Sequence, residues 1–218
     1  MDTPLPVHLN DARVGAVTAE GFRPVTLDTG RGPVEARLSP APGATRGALW
    51  VGGIGGGFDT PARGLYPRLA GDLRERKVTS LRVRFRHSTD LSEAVHDASA
   101  GLAFLERCGV RAAAVTGHSF GGAVAIRAAV AAPALVRSVV TLATQGAGAD
   151  AVRDLAAALL LVHGEADEVL APTCSLYVAR LAGEPKRLVL IPGAGHNLDE
   201  AAESVCREVR DWILRTLP

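Results

Sequence analysis

The sequence predicts a single α/β domain over residues 1–218, built on a mostly parallel, doubly wound sheet of eight-stranded type with helices on both faces. Three observations point there. From Ala48 onward, short apolar runs alternate with amphipathic helical stretches, the pattern of successive strand–helix–strand units. A chain of 218 residues suits one sizeable core. Its composition, 47% hydrophobic but only 4% aromatic, fits a close-packed interior of Ala, Val and Leu and excludes a disordered chain.

The elements follow in order. Val25, Leu27, Val34, Ala36 and Leu38 alternate with polar residues on either side of the turn-forming stretch 28–32, which reads as an antiparallel hairpin at the sheet's start. A strand at 48–51, a helix near 61–76 and a strand at 80–83 come next. The helix near 91–107 is the best marked, because Asp90 and Glu93 have capping-box spacing and Leu91, Val95, Ala98, Leu102 and Leu105 recur at helical intervals. A strand at 112–116 leads into an apolar helical run whose only charge before Pro133 is Arg127. Strands at 139–142, 159–162 and 188–191 complete the sheet, with only a loop and a short helix between 145 and 157. A last helix near Leu198 carries Ala202, Val205, Val209 and Trp212 on one face. Asn197 is placed to cap it, leaving His196 on the loop before.

Charge narrows the partners. With 24 basic and 23 acidic side chains, nothing suggests nucleic acid or a membrane surface, so small molecules are expected. Cys108, Cys174 and Cys206 are widely spaced in segments that read as helical, which indicates neither a disulfide framework nor a zinc site and fits a reducing cytoplasm. Residues 1–10 have neither the basic start nor the apolar stretch of a signal peptide, and no segment reads as a membrane span. A cytoplasmic location is the expectation.

Gly117-His118-Ser119-Phe120-Gly121-Gly122 sits where the 112–116 strand meets the apolar helix. A serine on so sharp a turn takes a strained backbone, and glycines two residues to either side let strand and helix close up. The turn also aims the first amides of the helix, Phe120's among them, at whatever carbonyl the serine attacks. The motif alone is common in a Gly- and Ala-rich chain, so its meaning depends on partners. Two appear at later strand ends: Asp167, after the run 159–164, and His196, after the run 188–191. Glu165 and Glu168 are weaker acids for the role, because the H-G-x-x-D pattern at 163–167 selects the aspartate. The order nucleophile, acid, histidine is that of the α/β hydrolases.

In these motifs the chain resembles the α/β-hydrolase superfamily over nearly its whole length, and within it the small capless bacterial hydrolases of dienelactone-hydrolase-like kind. One departure matters: dienelactone hydrolases proper carry a cysteine nucleophile, and this chain has Ser119. The resemblance implies an α/β-hydrolase fold with no cap domain, since the cap is usually inserted where residues 145–157 leave no room, and hence an open pocket for a small or protruding substrate. It also places a second oxyanion donor in the glycine-rich loop 52–58, where alignment selects the Ile54 amide, with Gly53 and Gly55 as one-residue alternatives; the usual leading histidine is absent. That loop does not fit G-x-G-x-x-G, and no phosphate-binding loop motif occurs, so no nucleotide cofactor is expected.

The other histidines read as structural. His118 could line the pocket but suits packing or hydrogen bonding better than a second base, and His163 suits holding the acid turn. His8, His87 and His96 form no metal-binding pair, and no metal or other cofactor is expected. Arg82, Arg84, Arg86 and His87 gather positive charge at one strand end, where Arg86 could meet a substrate anion, although solvated surface charge is the plainer reading.

The sum is a serine hydrolase acting on a small carboxylic ester or thioester through an acyl-enzyme, with Ser119, His196 and Asp167 as triad and the amides of Phe120 and Ile54 as oxyanion hole. A cofactor-free lyase or perhydrolase on the same triad, or a binding module without turnover, are the alternatives, and fold alone does not separate them. Oligomeric state is not legible.

Overall fold

A computed structural model describes residues 9–58 and 60–218, so His8 and the first part of the N-terminal stretch read above lie outside it. Among the described residues nine strands form one sheet in the order β1-β2-β3-β5-β4-β6-β7-β8-β9. They are β1 (Leu9–Val14), β2 (Arg23–Thr29), β3 (Val34–Ser39), β4 (Arg46–Val51), β5 (Val78–Val83), β6 (Ala112–His118), β7 (Val136–Leu142), β8 (Ala158–Gly164) and β9 (Lys186–Ile191). The pairs β1–β2, β2–β3 and β3–β5 are antiparallel. From β5 through β4 to β9 every pair is parallel.

The expected mostly parallel, helix-covered sheet is therefore present, with one strand more than the eight anticipated. The addition is β1. Its only buried residue is Leu9, so it has no apolar alternation to announce it and exists by pairing with β2.

The buried strands supply both faces of the sheet by period-two alternation. Leu49, Val51, Leu81, Val115, Val139 and Leu161 belong to the apolar layer that packs against α2 (Leu91–Arg107), α3 (Phe120–Ala131) and α4 (Thr173–Leu181). Ala48, Trp50, Ala114, Val140, Leu160 and Val162 belong to the other, against α1 (Pro61–Glu75) and α5 (Ala202–Thr216). Helices on opposite faces follow from the strand order, since β6 must cross over β4 to continue the sheet on its far side.

Two helix starts depart from expectation. Within α1, Ala62, Arg63 and Gly64 have φ of 50, 51 and 90°, so regular helix begins only at Leu65. The cause is tertiary: the Ala62 amide donates to the Asn197 carbonyl at 2.7 Å and the Arg63 amide to Asp199 Oδ1 at 2.8 Å. At the other end of that contact, Leu198 is left-handed with φ of 59°, so Asn197 does not cap a helix; a short 3₁₀ turn (Asp199–Ala201) precedes α5. The Asp90 cap does form, its carboxylate accepting from the Glu93 amide at 3.0 Å, a contact of about 1 kcal/mol. Glu93 does not complete a box, because its carboxylate faces Arg31 and Arg86 instead. Residues 145–157 hold only a loop and a 3₁₀ turn (Asp150–Asp154), so no cap domain sits there. All three cysteines are free thiols, and no helix among the described residues is long and apolar enough to cross a membrane.

Candidate active site

In-register parallel pairing brings the ends of β4, β6, β8 and β9 to one edge of the sheet, where Val51 pairs Gly117 and Gly164 pairs Ile191. Ligand sites of open α/β sheets lie at this edge because the loops there face outward together. Loop 52–60 follows β4, Ser119 follows β6, Asp167 follows β8 and His196 follows β9.

Ser119 has φ 56° and ψ −119°, a strained conformation for a residue with a side chain. Three bonds fix it. Its amide donates to Leu142 O at 2.8 Å, and its carbonyl accepts from Gly122 N at 3.0 Å and Gln145 N at 3.3 Å. Such a turn is possible only because strand and helix nearly touch: a Cβ on Gly117 would stand 1.9 Å from the Gly121 carbonyl oxygen. Gly117→Ala is accordingly expected to cost about 3 kcal/mol or more, the upper end of overpacking, because the obstacle is backbone. A urea midpoint equal to wild type would contradict that packing.

Gly164 does the same for the other two loops, since a Cβ there would lie 2.1 Å from the Ala194 carbonyl oxygen. The close approach is pinned by Glu165 N to Ile191 O at 2.9 Å and Ala166 N to Ala194 O at 3.0 Å. It delivers His196 Nδ1 to Asp167 Oδ2 at 2.8 Å. The other carboxylate oxygen accepts from the amides of Val169 and Leu170, each at 2.8 Å. Burial works to raise the Asp167 pKa, but the Leu170 amide, the His196 ring and the Val169 amide outweigh it and hold the carboxyl below its ordinary value. Glu165 and Glu168 are exposed, whereas Asp167 is buried.

A carboxylate accepts only, so His196 Nδ1 carries its hydrogen and Nε2 is left as the basic nitrogen. Ser119 and His196 line one cavity of about 530 Å³ together with Gly53, Ile54, Gly55 and His118. No hydrogen bond joins the Ser119 hydroxyl to His196 among the described residues; in unliganded sites such contacts are commonly long and tighten when substrate binds. Ser119 is only 8% exposed, and it lines this cavity.

His118 belongs to the same wall. Its Nε2 lies 3.0 Å from the His196 carbonyl oxygen, an acceptor, and so donates to it; the two rings are 4.8 Å apart between centroids. Burial pushes the His118 imidazole down to about 4, the His196 carbonyl only partly offsetting it. The sign is unfavourable to acid. Between the ordinary value of 6.5 and about 4 the unfolded chain takes up a proton that the folded one refuses. Stability therefore drops by about 1.4 kcal/mol for each unit of acidification through that window from this group, and is unaffected above it. Urea titrations at pH 7 and 5 should show a smaller drop for His118→Asn than for wild type; equal drops would contradict it.

The backbone of loop 52–58 lies against the elbow. A Cβ on Gly53 would be 3.5 Å from Ser119 Cβ and 3.4 Å from His118 Nδ1, ordinary contact distances that place this wall directly beside the elbow. Ile54, at 57% exposure, stands at the cavity mouth. Arg86 does not reach the cavity lining. Its guanidinium donates to Asp97 Oδ1 at 2.6 Å and Glu93 Oε2 at 2.8 Å, and also to the Arg31 carbonyl, while its amide donates to Asp97 Oδ2 at 2.7 Å. With the buried Asp97 beneath it, Arg86 ties β5 to α2.

Sequence reasoning missed the remaining walls: Thr60, Pro61 and Arg63 on one side, Asn197 and Asp199 on another, and Val169. Only the Arg63-Gly64 pair hints at a turn, and nothing local signals that it meets the histidine loop. Among the described residues no cluster of His, Cys, Asp or Glu could hold a metal ion.

No family model and no curated protein matches this chain. Solved structures do. A dienelactone hydrolase from Anabaena variabilis is similar over 97% of this chain and 100% of its own, at 19% identity and a TM-score of 0.76. The esterase domain of a Rhodothermus marinus protein is similar over 89% and 98%, at 20% identity and 0.72. A serine hydrolase without a lid from Xanthomonas campestris is similar over 94% and 99%, at 20% identity and 0.69. Likeness at such identity concerns the fold, and with the strand order above it establishes the α/β-hydrolase fold without a cap domain.

Proposed function

We propose that this lidless α/β-hydrolase fold carries a serine hydrolase that cleaves a small carboxylic ester or thioester through an acyl-enzyme. One observation carries the reading: the 2.8 Å bond from His196 Nδ1 to Asp167 Oδ2, in a cavity shared with a serine on a strained elbow. Asp167 supports that reading: with Oδ1 taken up by its own turn, the buried carboxylate turns Oδ2 to the imidazole.

Ser119 Oγ attacks the substrate carbonyl carbon as His196 Nε2 takes its proton, and the carbonyl π pair moves to oxygen. The Phe120 amide, opening α3, and the Ile54 amide receive that oxyanion, with Gly53 or Gly55 as neighbouring choices for the second donor. Collapse expels the alcohol or thiol, which leaves with the proton held by His196. Water then repeats the attack on the acyl-enzyme, giving its proton to His196, and Ser119 recovers it as the acid departs. Asp167 keeps its own proton state throughout and stabilises the imidazolium.

The walls suggest the substrate. Ile54 and Val169 are large apolar side chains left 57% and 69% exposed at the mouth. Because β4 lies on one side of β6 and β8 on the other, they flank the nucleophile from opposite directions. An apolar acyl or alcohol group lying across them would recover the exposed area. A panel of p-nitrophenyl esters of increasing acyl length tests this: kcat/KM is expected to rise from acetate to longer chains. Absence of turnover across the panel, in protein that is folded, would count against hydrolysis and turn attention to the lyase, perhydrolase or binding alternatives.

A further inference from the structure

One buried titratable side chain at the site has no part in the chemistry above. His163, the residue before Gly164 on β8, is completely buried. Its Nδ1 is 2.7 Å from Ser175 Oγ on α4, and its Nε2 is 2.9 Å from the Leu170 carbonyl oxygen and 3.1 Å from Asp167 Oδ2. Both atoms facing Nε2 are acceptors, so Nε2 carries a hydrogen whichever way the Ser175 hydroxyl turns. The N–H is directed at the Leu170 carbonyl, and Asp167 Oδ2 lies on its flank.

The consequence is a closed arrangement. Leu170 is held at both ends, its amide on Asp167 Oδ1 at 2.8 Å and its carbonyl on His163. The loop from 167 to 170 is thereby pinned in the arrangement in which Oδ2 points to His196. Behind His163 stands Ser175, which fixes the ring's own rotation from a different element. Cutting the Leu170 contact frees the loop that orients the carboxylate.

We propose that His163 is a positioning residue for the triad: through the Leu170 carbonyl and the flank of Asp167 Oδ2 it holds the acid loop so that the carboxylate meets His196. This rests on the serine-hydrolase reading of the same site. Its N–H also favours the carboxylate as an anion, keeping the shared hydrogen on His196 Nδ1. The groups that face the cluster are Asp167, His196, Ser175 and, across the His196 ring, His118, which is neutral down to about pH 4.

The test compares wild type with His163→Leu, His163→Gln and Ser175→Ala, using a p-nitrophenyl ester. It reads kcat, KM and the acid limb of the kcat/KM–pH profile, with circular dichroism to verify folding. Leucine removes the donor, and a carboxylate displaced by ~1 Å should lower kcat by about 100-fold with KM little changed. The acid limb should move down, because a carboxylate displaced from His196 stabilises its imidazolium less. Glutamine, whose Nε2 reaches toward Leu170, should recover much of the rate. Ser175→Ala should show the same changes at smaller size, and it carries the test if the leucine variant does not fold. Unchanged kcat and acid limb in these variants would overturn the proposal. So would equal losses in the leucine and glutamine variants with an unmoved profile, the mark of a merely structural residue. Failure of the wider reading looks different: Ser119→Ala would then retain wild-type turnover.

Discussion

Replacing Ser119 with alanine is expected to lower turnover of a short-chain p-nitrophenyl ester by about four to six orders of magnitude, while the protein keeps its fold. The size follows from what is lost. Without Oγ there is no acyl-enzyme, and His196 is left beside a methyl group with no proton to take. Whatever rate survives would come from the amides at the elbow acting on attacking water, a contribution that persists when a triad member is deleted. The substitution should be structurally mild, because residue 119 is held by its backbone, through Leu142, Gly122 and Gln145, and not by its side chain. Wild-type rates in the alanine variant would show that another group performs the attack.

Asp167→Asn should lower kcat by about 10⁴-fold, for a reason written in the hydrogen bonds. The amides of Val169 and Leu170 both point at Oδ1 and require an acceptor, so the asparagine oxygen must settle there. Its NH₂ group then faces His196 Nδ1 where Oδ2 stood 2.8 Å away. Two donors cannot share that line. His196 is driven to the opposite tautomer, with hydrogen on Nε2 and no lone pair for the Ser119 proton. The NH₂ also opposes the His163 N–H, at 3.1 Å in the native pair. Steady-state kinetics should place the loss in kcat and leave KM nearly intact, since substrate touches neither atom. A variant within tenfold of wild type would mean that Asp167 does not set the tautomer.

How far these features could be read from the chain differs by cause. The helix at 91–107 was legible because Asp90 and the Leu91–Leu105 spacing act locally, and the bounds agree with α2. Strand β1 was not, since five of its six residues stay unburied and pairing alone makes it a strand. The left-handed stretch 62–64 was invisible for a related reason: bonds from Asn197 and Asp199, more than a hundred residues away in the chain, hold it against local preference. At the site, the turn chemistry around Ser119 and the strand ends before Asp167 and His196 are short-range patterns. They put the acid and the histidine within bonding distance. Arg86 misled for want of a direction, because a strand-end arginine reads the same whether it faces a pocket or, as here, a buried Asp97. The walls made by Arg63, Asn197, Asp199 and Val169 come from separate loops, and their meeting is a property of the sheet order.

The claim beneath all of this is that one hydroxyl, on Ser119, is made nucleophilic by His196. A fluorophosphonate probe reports on that directly, because it phosphonylates a serine only where a base activates it. Mass spectrometry of the treated, folded protein should find a single adduct, on the peptide containing Ser119, accompanied by loss of esterase activity and absent from His196→Ala. An unmodified Ser119 in protein that hydrolyses esters at full rate would contradict the account.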